Sequence, residues 1–240
     1  MYADIDAWND RVRAAWDRRV ERWDVSAEAS RVAQDREEEI IRSIEVLGLT
    51  PGHRLLDAGC GTGQWAIAFS LRGIKVTAID VSPQMIARAR EHLAAYGADD
   101  RIEFQVGDLA RLPESFSGYH AIHCRAALHF MPDVPAALRE FRRVMRSDGR
   151  LLVSVPGALS PIYQRSWERH LNAAPPEVNW LTPWELEHLL IAGGWRILDG
   201  WGDYSHDLAG TDNPFDQVML AGLDIRLQQA AATMWTVIAG

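Results

Sequence analysis

Nothing in this sequence supplies a cross-linked framework. Its two cysteines, Cys60 and Cys124, allow no disulfide network and make no paired metal-ligand spacing. Both are expected to be small buried thiols. No apolar run approaches the roughly eighteen residues that a membrane-spanning helix needs. The opening Met-Tyr-Ala-Asp-Ile-Asp has no apolar leader core, so a cytoplasmic protein without a membrane partner is the expectation. Positive charge is also scarce. The formal net charge of −8 disfavours a nucleic-acid partner, because a phosphate backbone repels it. Arg139, Arg142, Arg143 and Arg146 make no basic patch against this balance. They share a segment with Leu138, Phe141, Val144 and Met145, as the solvated face of one amphipathic helix does. None of the eight histidines pairs with a nearby acid or cysteine at metal-ligating spacing. Repeats and low-complexity stretches are missing too.

What is present is an ordinary globular composition, 48% apolar and 24% charged. A length of 240 residues suits one large α/β domain or two small ones. Trp8, Val12, Trp16, Val20 and Trp23 recur at steps of three and four and predict one helical face. A second helix is expected over 31–47, with Ile40, Ile41, Ile44 and Leu47 buried. Strands and helices then alternate. Strands are expected over 54–57, 75–80, 101–106, 119–125 and 150–155. Helices are expected from Gln64, from Pro83 with Ser82 as N-cap, and over 134–146. Ser147-Asp-Gly149 reads as a turn. Such alternation predicts a doubly wound, mostly parallel sheet of the Rossmann-like α/β class. Beyond Gly157 the pattern loosens. Thr182-Pro183 opens a helix to Ala192, and strands are expected over 195–201 and 233–238. No helix-length crossover of the earlier kind joins these last two strands, so an antiparallel partner is expected at the sheet edge.

The densest information lies in Leu55-Leu-Asp57-Ala-Gly59-Cys60-Gly61-Thr-Gly63. An apolar strand ends in an acid, three glycines follow at alternate positions, and a helix begins. Glycines there let backbone approach a nucleotide-like ligand closely. A pyrophosphate would favour bare N–H groups and positive charge, whereas the carboxylate of Asp57 suits a cation. The same residues also fit a dinucleotide fingerprint, Gly61-x-Gly63-x-x-Ala66 with Asp80 as the ribose acid. The glycine loop alone does not choose between the two.

Asp57-x-Gly-x-Gly-x-Gly resembles the first motif of the class I methyltransferases that use S-adenosylmethionine. Four further segments resemble that family in the same order. Val-Thr-Ala-Ile-Asp80-Val81-Ser resembles the second motif, whose acid accepts from both ribose hydroxyls. Phe104-Gln-Val-Gly107-Asp108-Leu109 resembles the third, whose aspartate accepts from the adenine amino group while the next backbone N–H faces the ring. Tyr119-His-Ala-Ile-His123-Cys124-Arg125-Ala-Ala-Leu-His129-Phe-Met-Pro-Asp133 resembles the fourth strand and the segment leading from it. It departs from the family at His120, where an acid is usual, and at Phe130, where a second histidine is common. The 137–153 segment resembles the helix, glycine turn and fifth strand. The resemblance covers residues 30–155 well and the remainder in outline.

It implies S-adenosylmethionine as cofactor, S-adenosylhomocysteine as product, and methyl transfer to a small-molecule acceptor. It also implies a cofactor site built from Asp57, Gly59, Cys60, Gly61, Gly63, Asp80, Val81, Met85, Gly107, Asp108, Leu109, Cys124 and Arg125. His129, beyond the end of strand four, is the candidate general base, since imidazole titrates near neutrality. His123 is expected to be a buried, hydrogen-bonded core residue, and His53, His92 and His188 are expected at the surface. His170 and His206 lie in variable segments. Arg125 either meets an acidic substrate group or makes a surface ion pair. The whole chain is expected to form one domain over 1–240, with 1–48 as a helical cap and 158–181 as a lid-like insertion. Tryptophans in or beside the two segments (Trp8, Trp16 and Trp23; Trp167, Trp180 and Trp184) suggest an apolar or aromatic acceptor beneath them. The Asn/Asp-Pro-Pro-aromatic segment of amino-group DNA methyltransferases is replaced here by Arg-Ala-Ala-Leu, which argues against a nucleic-acid acceptor. Two other readings remain open: an NAD(P)-dependent oxidoreductase and a non-catalytic S-adenosylmethionine-binding protein.

Overall fold

Seven strands carry the fold: β1 (Arg54–Ala58), β2 (Lys75–Asp80), β3 (Ile102–Val106), β4 (Tyr119–Arg125), β5 (Met145–Pro156), β6 (Ile197–Asp203) and β7 (Met234–Ala239). The computed structural model describes residues 5–28, 32–96, 101–163, 166–167, 177–204 and 222–240. The strands form one sheet in the order β3-β2-β1-β4-β5-β7-β6. The first five are parallel, and β7 runs antiparallel to both β5 and β6. The antiparallel pairing expected at this end of the sheet is therefore present, with β7 one place in from the outermost strand.

Eight α-helices accompany the sheet among the described residues: α1 (Ile5–Asp17), α2 (Val20–Glu28), α3 (Val32–Leu47), α4 (Gln64–Ser70), α5 (Pro83–Ala95), α6 (Val134–Val144), α7 (Pro183–Ala192) and α8 (Ile225–Ala231). Both faces of β1 are apolar, as a strand covered on both sides requires. Alternation then sorts its side chains. Leu56 and Ala58 join Ile122, Leu151 and Val153 in a core with Leu138, Phe141, Leu186 and Leu190 from α6 and α7. Leu55 joins Ala121, Leu152 and Ile238 in a second core with Ile40, Ala66, Phe69 and Ile86 from α3, α4 and α5. Phe69 and Phe141 are fully buried; a large apolar side chain sequestered in this way contributes about 1.5–3 kcal/mol.

Several expectations shift in detail. The single tryptophan-bearing face is split, because a turn at Arg18–Arg19 separates α1 from α2. On α3, Ile40 and Leu47 are buried but Ile41 is 45% exposed, one step round the helix from the core. Ser147–Gly149 does not end a helix with a free turn. Strand β5 already begins at Met145, and the register jumps from Tyr119↔Met145 to Ala121↔Arg150, so these residues bulge from the pairing. Helix α8 had no legible signal in the sequence.

Helix starts follow local chemistry. Ser82 Oγ accepts from Met85 N at 3.1 Å, with Pro83 at the first turn of α5. Asp133 Oδ1 accepts from Ala136 N at 2.9 Å at the start of α6. Asp133→Ala removes that acceptor and is expected to lower stability by about 1 kcal/mol. Urea unfolding at matched slope measures this; an unchanged midpoint would show that water caps the helix equally well.

Candidate functional site

Strands β1, β2 and β4 deliver their carboxyl ends to one edge of the sheet, where ligands bind in open α/β folds. The turn after β1 holds Gly59, Gly61 and Gly63 at φ of 80°, 53° and 79°. This left-handed region is open to glycine at little cost. At Gly59 sterics add a second demand, since a Cβ would lie 2.5 Å from the Ala127 Cβ. The Gly59 and Cys60 N–H groups donate to the Ile79 carbonyl at 2.8 and 3.1 Å, tying the turn to β2.

Asp80, the last residue of β2, binds this turn to the next. Its Oδ2 accepts from Gly61 N at 2.9 Å and its Oδ1 from Ser82 N at 2.9 Å. Burial pushes its pKa up to about 6, against the pull of those N–H groups. Beyond β3, Asp108 Oδ1 accepts from Ala110 N at 2.9 Å and Oδ2 from Asn9 Nδ2 at 3.1 Å. Around these groups lies a cavity of about 270 Å³. It is lined by Asp57, Gly59, Cys60, Gly61, Asp80, Val81, Met85, Gly107, Asp108, Leu109 and Arg125 among the expected site residues.

Helices α1 and α2 close one side. Trp8 Nε1 donates to the Phe130 carbonyl at 2.7 Å, and Ser82 Oγ donates to Asp17 at 2.5 Å. Arg88 pairs with Asp24. The Trp16 ring meets Trp23 and Phe130 edge-on at 5.4 and 5.0 Å, and all three line the cavity. Trp167, Trp180 and Trp184 are not among the lining residues, and Trp167 is 56% exposed.

Three expected site residues stand elsewhere. Gly63 caps α4, where Phe104 and Ala89 crowd it. Cys124 is fully buried because alternation points it into the α6–α7 core, and burial drives its thiol pKa far up. His129 was the expected base, but the short 3₁₀ turn Leu128–Phe130 tucks it inward. It is 1% exposed, packs at 4.1 Å from the Phe130 ring, and leaves Nδ1 without a partner. Burial lowers its pKa to about 3, so the ring stays neutral and is a weak proton acceptor. The turn presents Phe130 to the cavity instead.

His123 is buried and hydrogen-bonded, as expected, yet it also lines the cavity. Its Nδ1 lies 2.8 Å from Asp57 Oδ1, with Trp65 and Phe69 packed on the ring. The carboxylate read as the partner of a cationic ligand is thus half taken by an imidazole. Asp57 Oδ2 and His123 Nε2 have no hydrogen-bond partner.

Sequence reading missed Glu39 on α3 and Asp203 at the end of β6. Both line the cavity beside Arg125, whose Nη2 lies 3.3 Å from Glu39 and 3.8 Å from Asp203. No local motif marks either residue. His170 and His206 lie outside the described residues, as does the polar stretch after Tyr204. Among the described residues no three histidine, cysteine, aspartate or glutamate side chains converge as a metal site, and no helix is long and apolar enough to cross a membrane.

The site offers a cavity-lining carboxylate with free lone pairs, a glycine turn that admits close approach, buried acidic groups and aromatic walls. These residues fit a nucleoside that carries positive charge. Residues 55–149 match the family model described as a methyltransferase domain. The chain is 36% identical over 132 residues to the malonyl-[acyl-carrier protein] O-methyltransferase of Serratia marcescens, covering 52% of this chain and 49% of that one. It is 36% identical over 107 residues to the 27-O-demethylrifamycin SV methyltransferase of Amycolatopsis mediterranei, covering 44% and 39%. The chain therefore spans about half or less of the length of these curated relatives. Among solved structures, magnesium protoporphyrin IX methyltransferase (ChlM) from Synechocystis PCC 6803, with bound S-adenosylhomocysteine, superposes with a TM-score of 0.61 at 17% identity over 86% of this chain and 82% of that one. That likeness is one of fold.

Proposed function

We propose, for a chain that belongs to the class I S-adenosylmethionine-dependent methyltransferases, that it transfers the methyl group of S-adenosylmethionine to a small-molecule acceptor with an apolar or aromatic body. The observation that carries this reading is Asp80. Its carboxylate is clamped by two backbone N–H groups at the lip of the glycine turn and keeps lone pairs for a ribose diol. In this reading Val81 and Met85 flank the adenine. Asp108 and the Leu109 N–H hold its edge, and Gly59, Cys60 and Gly61 pass close beneath the nucleoside. Asp57 and the Arg125 backbone face the methionine end.

When bound, the cofactor supplies an electrophilic methyl group on a sulfonium. What this chain's residues contribute is alignment of the acceptor and exclusion of water. The tryptophan-bearing helices α1 and α2 and the Phe130 ring serve the second task. A buried, neutral His129 gives no proton acceptor, so the acceptor's proton must go elsewhere. Residues 1–48 act as a cap on this reading. Trp167 and Trp180 stand outside the cavity wall, which gives them no contact with an acceptor bound there. Dinucleotide binding is the weaker reading, since it leaves Asp108 and its adenine-edge position without a role.

Calorimetric titration tests this. At pH 7.5, S-adenosylmethionine and S-adenosylhomocysteine should bind in the micromolar range and NAD should not. The diol needs ionised Asp80, whose pKa stands at about 6. Binding favours the deprotonated form, so affinity is nearly full above about pH 7, is halved at about pH 6 and falls by about tenfold at pH 5. NAD binding with no affinity for the methyl donor would overturn the assignment; a flat profile down to pH 5 would remove Asp80 from it.

A further inference from the structure

Five carboxylates line the cavity: Glu39, Asp57, Asp80, Asp108 and Asp203. Arg125 is the one lysine or arginine among the described lining residues. A nucleoside with a charged sulfur accounts for Asp80 and Asp108 and for the wall near Asp57. It leaves Glu39 and Asp203 unexplained.

These two come from elements far apart in sequence, α3 and the end of β6. The Arg125 guanidinium brings their carboxyl groups together at one corner of the cavity. Burial and the charge of Asp203 push the Glu39 pKa up, while Arg125 and His123 pull it down. Arg125 is already engaged by both carboxyls, and its guanidinium lies 5.3 Å over the Trp65 ring. Two carboxyls share one guanidinium, so the cluster has room for a second positive charge.

A second observation points the same way. His123 is 1% exposed and Asp57 2% exposed, and both line this cavity. His123 Nε2 has no hydrogen-bond partner, and Nδ1 is taken by Asp57. A buried ring nitrogen left open in this way is satisfied by a ligand that brings a hydrogen-bonding group. The π faces of Trp16, Trp23 and Phe130 lie on the same cavity wall and attract cations.

We propose that the acceptor is an amine on an apolar or aromatic body, bound as its ammonium against the Glu39–Asp203 carboxyl pair. The proposal rests on the methyl-transfer reading and names its substrate class. One ammonium proton passing to a carboxylate of the pair frees the nitrogen lone pair for attack, so no histidine base is needed. An anionic acceptor would meet like charge and a guanidinium already engaged.

The test uses protein saturated with S-adenosylhomocysteine at pH 7.5 and three probes of one shape: benzylamine, benzyl alcohol and benzoate. Calorimetry should show the amine binding about tenfold or more tighter than the alcohol, the scale of a charge-assisted hydrogen bond, and no heat from benzoate. Glu39→Gln with Asp203→Asn should abolish the amine's advantage while a cooperative melting transition shows that the variant folds. Glu39→Gln alone, at a half-exposed position, should halve the advantage or more and serves if the double variant does not fold. Benzoate binding as well as the amine, no probe binding at all, or an amine preference that survives the substitutions would overturn the proposal with the cofactor reading intact. Failure of S-adenosylhomocysteine to bind in the first step would remove both.

Discussion

His123→Leu should destabilise this protein by about 3–5 kcal/mol, because it leaves a buried carboxyl group without its hydrogen-bond donor. Asp57 is 2% exposed and holds one hydrogen bond on its side chain, to His123 Nδ1 at 2.8 Å. With leucine there, the buried carboxyl group would sit between β1 and β4 without its side-chain donor. Packing loss is a smaller part of the effect, since leucine fills much of the space between Trp65 and Phe69. The double variant Asp57→Asn/His123→Leu removes the stranded charge and should recover more than half of the loss. Urea unfolding at equal slope reads both quantities. A single-variant loss under about 1 kcal/mol would show that the pair is solvated and that its hydrogen bond is not a structural element.

The second large effect belongs to the ligand. Asp80→Ala should weaken S-adenosylhomocysteine binding by about 3 kcal/mol, near a hundredfold, because two charge-assisted hydrogen bonds disappear together. The substitution also strands the Gly61 and Ser82 N–H groups that Asp80 now accepts from, so the glycine turn loses its tie to the start of α5. Asp80→Asn keeps the shape and one acceptor oxygen and should fall between. Calorimetry with 5′-methylthioadenosine separates the two contributions. This ligand shares the ribose and lacks the amino acid end, so Asp80→Ala must weaken it by a similar factor. If Asp80→Ala binds either ligand as the wild type does, the diol is held by something else.

Much of this site was readable from local sequence because its parts are local. A left-handed turn demands glycine at the position itself, so Gly59 and Gly61 announced the bend. Ser82-Pro83 and Asp133 announced helix starts through a side chain that bonds two or three residues onward. Asp80 was legible because it ends an apolar strand and one partner, Ser82, lies two residues on; its other partner, Gly61, comes to it only through the pairing of β1 with β2. Alternating strand and helix signals implied a parallel sheet and hence a ligand edge at the strand ends.

His129 misled because its position relative to strand four is all that sequence supplies. Whether a ring one turn beyond a strand faces ligand or core depends on how the 3₁₀ turn Leu128–Phe130 packs, here with Asn179 donating to the Leu128 and Met131 carbonyls from a distant segment. Cys124 misled for a simpler reason. Strand alternation states that neighbours face opposite sides, and only the packed sheet tells which side holds the cavity.

From its residues alone, this chain determined the parallel α/β sheet, the glycine bend and the acids at the ends of β1 and β2, since each follows from contacts among residues close in sequence. Tertiary structure decided what those acids touch. The Asp57–His123 pair exists because β1 lies beside β4 in register, and Glu39, Arg125 and Asp203 meet because α3, β4 and β6 converge on one cavity. Such meetings depend on strand order and helix packing over the whole molecule, which no short stretch of sequence encodes.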